Sequence, residues 1–346
     1  MIFTEILINW YSVHKRDLPW RKTKNPYLIW LSEIILQQTQ IKQGRPYYEA
    51  FVSKFPTVNE LAKAKESEVL KLWQGLGYYS RARNLHFSAQ YISNELQGDF
   101  PKTYKELISL KGIGDYTASA IASICYNEST AVVDGNVYRL LSRYFNIDTP
   151  INSTKGIKEF KILAQQLLPK TNIGDYNQAI MEFGAIQCKP ANPNCNECPL
   201  KNSCKALELN KINILPVKLK KTKVSKKYFN FLVFLSNDGK TIIEQRTGKG
   251  IWQNLYQFPL IESQSSLTRN GLESHLKVKT LLNGSKYELS LFNNDDIIHK
   301  LSHQHLYTKF WIIEAHDLPK ESIPISNIRQ YAVPILIGNF IEQFNF

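Results

Sequence analysis

Along the first part of the chain, apolar residues recur every three or four positions. This spacing predicts a series of short amphipathic helices from Met1 to about residue 187. Gly, Pro and Asn residues interrupt the pattern and mark the turns between helices. The clearest helical segments read PYLIWLSEIILQQT, VNELAKAKESEVLKLW and YTASAIASICY. The first part of the chain is therefore predicted to be all-α.

The pattern changes after Lys205. Residues 205–227 hold eight lysines, one acidic residue and Pro216, which is typical of a linker. Beyond it the segments become strand-like: YFNFLVFLS and KTIIEQR flank the turn NDG and predict a β-hairpin. A further strand reads YTKFWIIEA, and a helix lies within SNIRQYAVPILIGNFIEQF. We expect a helical domain over 1–204, a basic linker over 205–227 and an α+β domain over 228–346.

Composition and charge narrow the class of protein. The 346 residues suffice for two domains, and a hydrophobic content of 43% supports real cores. A net charge of +13 favours a polyanionic partner, either nucleic acid or an anionic membrane surface. No apolar run reaches the roughly 20 residues that span a bilayer, and the start lacks the pattern of a signal peptide. We expect a soluble, unexported protein, cytoplasmic and associated with the nucleoid if the source is bacterial.

The stretch LISLKGIGDYTAS places Gly112 and Gly114 between an apolar run and a new helix. Glycines allow close approach to the main chain, and the N–H groups at a helix start can bind an anion such as phosphate. A tight turn with a glycine C-cap accounts equally well for the glycines alone. The basic charge favours the phosphate of a nucleic acid. Leu110 and Ile113 would anchor the turn, as in a helix-hairpin-helix.

Four of the five cysteines fall within 17 residues, spaced C-x6-C-x2-C-x5-C, whereas Cys125 stands alone. A disulfide framework would scatter them, and a metal site gathers them. Four sulfurs suit either tetrahedral zinc or a 4Fe-4S cluster. Structural zinc commonly uses two C-x2-C pairs and only one is present, so the spacing favours the cluster. The predicted ligands are Cys188, Cys195, Cys198 and Cys204.

Two carboxylates are candidates for acid–base chemistry. Glu33 lies inside an otherwise apolar helix, where desolvation favours the neutral form that a general acid needs. By base rate, a surface glutamate on an amphipathic helix is the more common case. Asp134, in VVDGNVYR, precedes a predicted helix and would by default be its N-cap.

Taken together, these motifs resemble the MutY-type adenine DNA glycosylases of the endonuclease III superfamily, over nearly the whole chain. The resemblance rests on the glycine turn, the cysteine spacing and the segments LPWR, WLSEIILQQTQI, LWQGLGYYSRARNL, VVDGNVYRLLSR and YNQAIMEFGAIQC. It implies a multi-domain fold. An all-α helix-hairpin-helix glycosylase domain with an iron-sulfur loop would be followed by a C-terminal α+β Nudix-like domain.

The resemblance implies roles in catalysis. Glu33 would protonate an extruded adenine at N7 and later act as base for the attacking water. Asp134 would stabilise or capture the oxocarbenium-like sugar as the C1'–N9 bond breaks, and Asn136 would bind near the departing base. Tyr116 stands where bifunctional members carry a lysine that forms a Schiff base. A phenol cannot form one, so cleavage should stop at the abasic site, and the tyrosine would instead hydrogen-bond to the aspartate.

Further positions would bind the substrate, double-stranded DNA with an A:8-oxoG or A:G mispair. An adenine must be flipped out of the duplex, at a cost of roughly a few kcal/mol. From the residues alone, ordinary packing or a solvated charge accounts for most of these side chains. The matching positions are Arg16, Trp20, Arg21, Leu36 and Gln178 for the adenine pocket, Gln38, Thr39, Leu76 and Tyr78 for the wedge and the orphaned base, and Lys111, Gly112 and Gly114 for the DNA backbone.

The resemblance also implies that the C-terminal domain reads 8-oxoguanine through Ser302 and His303, with Leu301 where an aromatic is common. The nearest candidate for a Nudix box, GKGIWQNLYQFPLIESQ, lacks the paired carboxylates of the motif. Without them no Mg²⁺ site forms, so we expect recognition without hydrolysis. His299 and His305 could imitate a metal site with His303, although an ordinary strand-loop face accounts for them.

Two other functions are alternatives for this sequence. A bifunctional, endonuclease III-like glycosylase/lyase is disfavoured by the absence of a lysine at position 116. A non-catalytic DNA damage sensor is disfavoured by the presence of both Glu33 and Asp134. The leading hypothesis is a monofunctional, monomeric adenine DNA glycosylase that carries a 4Fe-4S cluster.

Overall fold

The structure is a computed structural model that describes residues 3–219, 224–282, 284–316, 318, 321–344 and 346. The chain divides into two units. The first comprises Met1–Lys63 and Asn84–Lys220, and the second comprises Ala64–Arg83 and Lys221–Phe346. No helix in the described part of the chain has both the length and the apolar character needed to cross a membrane.

The first unit is helical, as the period of three and four predicted. Its elements are α1 (Phe3–His14), a 3-10 turn (Pro19–Arg21), α2 (Pro26–Leu36), α3 (Ile41–Lys54), α4 (Val58–Lys63), most of α6 (Ser80–Glu95), α7 (Tyr104–Leu107), α8 (Asp115–Tyr126), α9 (Gly135–Phe145), α10 (Thr154–Gln166), α11 (Ile173–Glu182), a π-helical turn (Phe183–Gln187), a 3-10 turn (Lys201–Ser203) and α12 (Lys205–Glu208).

Helix α2 lies in the core of this unit. Asn25 caps it by accepting hydrogen bonds from the backbone N–H of Tyr27 and Leu28, and Pro26 occupies the first turn, where its missing N–H costs nothing. Trp30 and Ile35 are fully buried, and the helix contacts α3 and α8. A helix that is apolar on most sides is suited to a buried position.

The segment VNELAKAKESEVLKLW forms two helices instead of one. After α4, Lys65 adopts an extended backbone and a second helix, α5 (Glu66–Leu72), begins. The Glu68 carboxylate accepts a hydrogen bond from the Lys65 N–H at 3.0 Å. This bond caps a new helix start within a stretch whose hydrophobic period reads as continuous.

The second unit is built on a sheet. Besides α5, its elements are β1 (Ser225–Ser236), β2 (Lys240–Thr241), β3 (Glu244–Gln245), β4 (Tyr256–Gln257), β5 (Leu260–Ser263), α13 (Arg269–Glu273), α14 (Leu276–Leu282), β6 (Tyr287–Leu291), β7 (Ile297–Lys300), β8 (Gln304–Ala315), β9 (Ile323–Pro324), a 3-10 helix (Ile325–Gln330) and α15 (Ile335–Phe344). The main sheet has the order β5-β1-β8-β6, with β7 also paired to β8. The β1–β8 pair is parallel and the other pairs of this sheet are antiparallel.

Helices cover both faces of this sheet. Phe234 and Ile313 belong to a core that includes residues of α13 and α14. On the opposite face Phe310 stacks on Phe340 of α15, with ring centroids 4.0 Å apart. A strand covered on both faces is apolar along its length, which explains the run YFNFLVFLS.

The predicted β-hairpin around NDG is wrong. The turn itself forms, with Gly239 at φ +73° and its N–H donating to Ser236 O. After the turn, however, β2 pairs with β9 and not with β1. β1 pairs with β8 along its whole length and with β5 over residues 228–231, whereas β2 pairs with β9, so the turn by itself does not fix the partner of the strand that follows it.

The units differ from the predicted domain boundaries in two places, and those boundaries stay a prediction. Residues 205–219, expected as linker, pack on the first unit, where the N–H of Ile151 donates to Val217 O at 3.0 Å. Residues 220–223 lie outside the described part of the chain. Residues 64–83 belong to the second unit, in which Lys71 Nζ donates to Tyr331 O at 3.0 Å.

Candidate active site

One cleft in the first unit is lined by the α1–α2 connection and by residues of α2, α8, α9 and α11. It encloses about 560 Å³, within the roughly 300–1,000 Å³ typical of ligand pockets. Every predicted catalytic and adenine-pocket residue lines it, together with one wedge residue. These are Glu33, Tyr116, Asp134, Asn136, Arg16, Trp20, Arg21, Leu36, Gln178 and Thr39.

The carboxyl group of Glu33 is held near neutrality in this cleft. The pKa of Glu33 is raised to about 7, first by burial and then by the nearby Asp134 carboxylate. A hydrogen bond with Tyr116 and the charge of Arg21 oppose the rise in pKa. At neutral pH a substantial fraction of Glu33 therefore carries a proton, as a general acid requires.

The hydroxyl of Tyr116 lies within hydrogen-bonding reach of two acceptors, the Glu33 carboxyl group and Met181 Sδ at 3.2 Å. A carboxylate is the stronger acceptor of the two. Burial, together with the charges of Glu33 and Asp134, raises the pKa of Tyr116, so the phenol stays protonated. The hydroxyl of Tyr116 thus bonds to Met181 Sδ with the Glu33 carboxyl group close by, where a bond to the aspartate was expected.

Asp134 is the N-cap of α9, as its place before a predicted helix indicated, and it also lines the cleft. Its Oδ1 accepts from the N–H groups of Asn136 at 2.9 Å and Val137 at 2.8 Å, and its Oδ2 accepts from Asn136 Nδ2 at 2.7 Å. Burial raises the pKa of Asp134, while these hydrogen bonds and the charge of Arg139 lower it. The cap therefore fixes the carboxylate in one orientation toward the cleft.

A hydrogen bond from Arg139 fixes the side chain of Asn136. Its Oδ1 accepts from Arg139 Nη2 at 2.8 Å, and the same nitrogen donates to Gly184 O at 2.6 Å. A Cβ at Gly184 would lie 2.6 Å from Asn136 O, so only glycine allows the π-helical turn to approach α9 this closely.

Glu182 is a functional residue that the sequence analysis missed. It is 1% exposed and accepts hydrogen bonds from Arg16 Nε at 2.7 Å and from Arg21 Nη1 at 2.8 Å. Burial alone would raise the pKa of Glu182, but the bonds from Arg16 and Arg21 lower it to about 2. Its position four residues after Gln178 on α11 was the available signal, because i and i+4 share a helix face.

Gln178 is oriented by a neighbour outside the predicted set. Tyr11 donates its hydroxyl proton to Gln178 Oε1 at 2.8 Å. With the carbonyl oxygen held in this way, the amide NH₂ is the end of the side chain available to a ligand in the cleft.

Four other predicted residues lie in a separate cavity within the second unit: Leu76, Tyr78, Ser302 and His303. Tyr78 is exposed at φ 48°, and its hydroxyl hydrogen-bonds to Ser302 Oγ. Leu301 lines the same cavity. Gln38 does not line the catalytic cleft; it is exposed at φ 56°, two residues after the end of α2.

The glycine turn joins α7 to α8 as a hairpin. Gly112 has φ +83°, a conformation that favours glycine, and Gly114 is the N-cap of α8 without a side-chain cap. Leu110 and Ile113 are each 5% exposed and anchor the turn, as expected, whereas Lys111 is exposed.

All four clustered cysteines line a single cavity of the first unit. Arg143, itself 2% exposed, donates from Nη1 to Cys188 Sγ at 3.5 Å. Among the described residues, no three His, Cys, Asp or Glu side chains form a group that could hold one metal ion. Four thiols around one cavity, with the Arg143 guanidinium beside Cys188, are a donor set that suits a cofactor with four cysteine ligands.

Comparison with known proteins identifies the family. The family described as HhH-GPD superfamily base excision DNA repair protein matches residues 31–166, and the NUDIX domain family matches residues 230–343. An adenine DNA glycosylase of Buchnera aphidicola subsp. Baizongia pistaciae is 36% identical over 315 residues, covering 90% of this chain and 86% of the relative. The chain belongs to the adenine DNA glycosylase family.

Further similarities support this membership of the adenine DNA glycosylase family. The human adenine DNA glycosylase is 44% identical over 213 residues, covering 59% of this chain and 39% of the relative. The solved structure of a thermostable thymine-DNA glycosylase, 30% identical, aligns with a TM-score of 0.56 over 60% of this chain and 95% of that one. The predicted fold, a helix-hairpin-helix glycosylase domain followed by a Nudix-like α+β domain, is confirmed.

Proposed function

We propose that this member of the adenine DNA glycosylase family is a monofunctional, monomeric DNA repair enzyme. It removes adenine mispaired with 8-oxoguanine or guanine in double-stranded DNA. The observation that carries the proposal is Glu33, a carboxyl group with a pKa of about 7 in the same cleft as the ordered carboxylate of Asp134. Two carboxyl groups whose environments suit them to different protonation states are the basis of glycosidic bond hydrolysis.

The flipped adenine enters the cleft of the first unit. Glu33 protonates N7, which makes the base a better leaving group, and Asp134 stabilises the positive charge that develops on the sugar. Asn136 binds near the departing base. Glu33, now ionised, accepts a proton from the attacking water. The adenine ring is held by Arg16, Trp20, Arg21, Leu36 and Gln178.

Lesion recognition is assigned to a second group of residues. Gln38 with Thr39 in the first unit, and Leu76 with Tyr78 in the second unit, are assigned to the wedge and the orphaned base, and Ser302 and His303 contact 8-oxoguanine. The hydrogen bond between Tyr78 and Ser302 supports a shared role for these two side chains. Lys111, Gly112 and Gly114 bind the DNA backbone.

We assign a 4Fe-4S cluster to Cys188, Cys195, Cys198 and Cys204. These four thiolates would fill every protein ligand position of the cluster, which would then have a structural role in attaching the loop from residue 188 to residue 204 to α9. Arg143 and Arg139 reinforce this attachment from α9, since they donate to Lys189 O at 2.7 Å and to Cys188 O at 2.8 Å.

The proposal is tested with a duplex that contains one adenine opposite 8-oxoguanine, under single-turnover conditions. Because Tyr116 has no amine to attack the sugar, we expect strand breaks only after alkali treatment and no DNA adduct after borohydride. A duplex with adenine opposite thymine is the control. Breaks without alkali would indicate a bifunctional enzyme, and tight binding without base release would indicate a damage sensor.

The pH dependence of the same reaction tests the role of Glu33. Since the acid must be protonated, the single-turnover rate constant should fall as pH rises above about 7, by approximately tenfold per pH unit. The expected measurement is a rate profile from pH 6 to 9 at saturating enzyme. A rate that stays constant from pH 7 to 9 would contradict proton donation by Glu33.

A further inference from the structure

The exposed lysine of the hairpin rests on an aromatic ring. Lys111 Nζ lies 4.3 Å from the centroid of the Phe87 ring, well within the roughly 6 Å of a cation–π contact. Phe87 belongs to α6 and is 50% exposed. Among the described residues, Lys111 forms no salt bridge. The ring therefore holds the ammonium group and leaves its positive charge in place. A carboxylate partner would instead neutralise that charge.

The same face of α6 orients the hairpin backbone. Ser88, fully buried, donates its hydroxyl to Lys111 O at 2.7 Å. In a trans peptide the C=O and the following N–H point in opposite directions, so this bond directs the Gly112 N–H away from α6. Asn84, one turn earlier on α6, lies so close to Gly112 that a Cβ added at Gly112 would be 2.6 Å from the Cβ of Asn84.

We propose that Phe87 is a positioning residue, which holds the Lys111 ammonium at the hairpin for contact with a phosphodiester group of DNA. The inference rests on the proposed function only in taking DNA as the substrate. An ammonium and a backbone N–H are both donors that suit a phosphate oxygen. Because the side chain is already placed by the ring, less conformational entropy is lost on binding than for a free lysine.

The test measures binding to an unmodified duplex over a range of salt concentrations. K111A should reduce the slope of log affinity against log salt by about 0.9, the value for one phosphate contact. F87L keeps an apolar side chain but removes the ring, and should weaken binding about two- to five-fold at low salt. F87W keeps a ring and should bind like the wild type.

A double-mutant cycle separates positioning from a general structural role. If Phe87 acts through Lys111, F87L should have no further effect in the K111A background. Y91L is the matched control, since Tyr91 lies one turn later on α6 with 45% exposure, and it should bind like the wild type. The inference would be overturned if F87L weakened DNA binding equally in the wild-type and K111A backgrounds. It would also be overturned if Y91L weakened binding as much as F87L does, or if K111A left the salt slope unchanged.

An unmodified duplex contains no mispair, so these results do not depend on whether the chain removes adenine. Failure of base release in the wild type would refute the proposed function and leave the binding experiment interpretable.

Discussion

Replacement of Glu33 by glutamine should lower the single-turnover rate constant for adenine release by about 10²- to 10⁴-fold, the range that general acid catalysis contributes. Glutamine has nearly the same shape but cannot give a proton to N7 of the base. The measurement is alkali-dependent strand cleavage of an A:8-oxoG duplex at saturating enzyme. A rate within tenfold of the wild type would refute the assignment of Glu33 as the acid.

The thermal stability of E33Q provides its control. The pKa of Glu33 is raised in the folded protein, so the folded state binds more protons than the unfolded state between the ordinary glutamate pKa and about 7. Because the unfolded state releases this proton at a lower pH than the folded state, the free energy of unfolding is lowered above pH 7. This loss of stability disappears at low pH. We expect E33Q to melt at a higher temperature than the wild type at pH 8, with the difference shrinking toward pH 4. A less stable E33Q at pH 8 would contradict the raised pKa.

Replacement of Asp134 by asparagine should lower the rate constant for adenine release by about 10²- to 10³-fold, the scale on which preorganised electrostatic groups act. The negative charge beside the sugar is lost, while the helix cap is kept, since asparagine caps helices as well as aspartate does. Fluorescence-detected binding of the same duplex should stay within a few-fold of the wild type. Loss of binding in parallel with loss of rate would indicate a role in holding DNA.

The comparison with D134A separates catalysis from capping. Alanine removes the charge and also the hydrogen bonds to the N–H groups of Asn136 and Val137. We expect D134A to lose activity as D134N does and in addition about 0.5–2 kcal/mol of stability, measured by urea denaturation. Equal stability of D134A and D134N would show that the cap contributes little to α9.

Much of the catalytic cleft could be predicted because its chemistry is concentrated in short motifs. Glu33 stood out as a single acid in an apolar helix, and Asp134 and Asn136 lie two residues apart. The cysteine spacing predicted a common site, and the four thiols do line one cavity. Glu182 was missed because its one local signal, the helix face that it shares with Gln178, does not reveal its partners. Its importance lies in two arginines more than 160 residues earlier in the chain.

The strand pairing of the second unit, in contrast, could not be predicted from local sequence. The turn NDG was a correct local signal, and the backbone does turn there. The strands paired with β1 are β5 and β8, which follow it by about 25 and 70 residues, and β2 pairs with β9 instead. Local turn chemistry fixes where the chain reverses, but pairing depends on competition among strands that are distant in sequence.

The amino-acid sequence by itself determined the all-α and α+β character of the two parts, the hairpin glycines, the thiol set and the pair of carboxylates, because period, turn chemistry and spacing are local properties. Only the tertiary structure decided that Tyr116 lies close to Glu33 and bonds to Met181, that Glu182 orders Arg16 and Arg21, and that Lys111 rests on Phe87. These contacts join side chains from different helices. The pKa of a carboxyl group and the orientation of a cation depend on all the groups packed around them, and packing brings those groups together from distant parts of the chain.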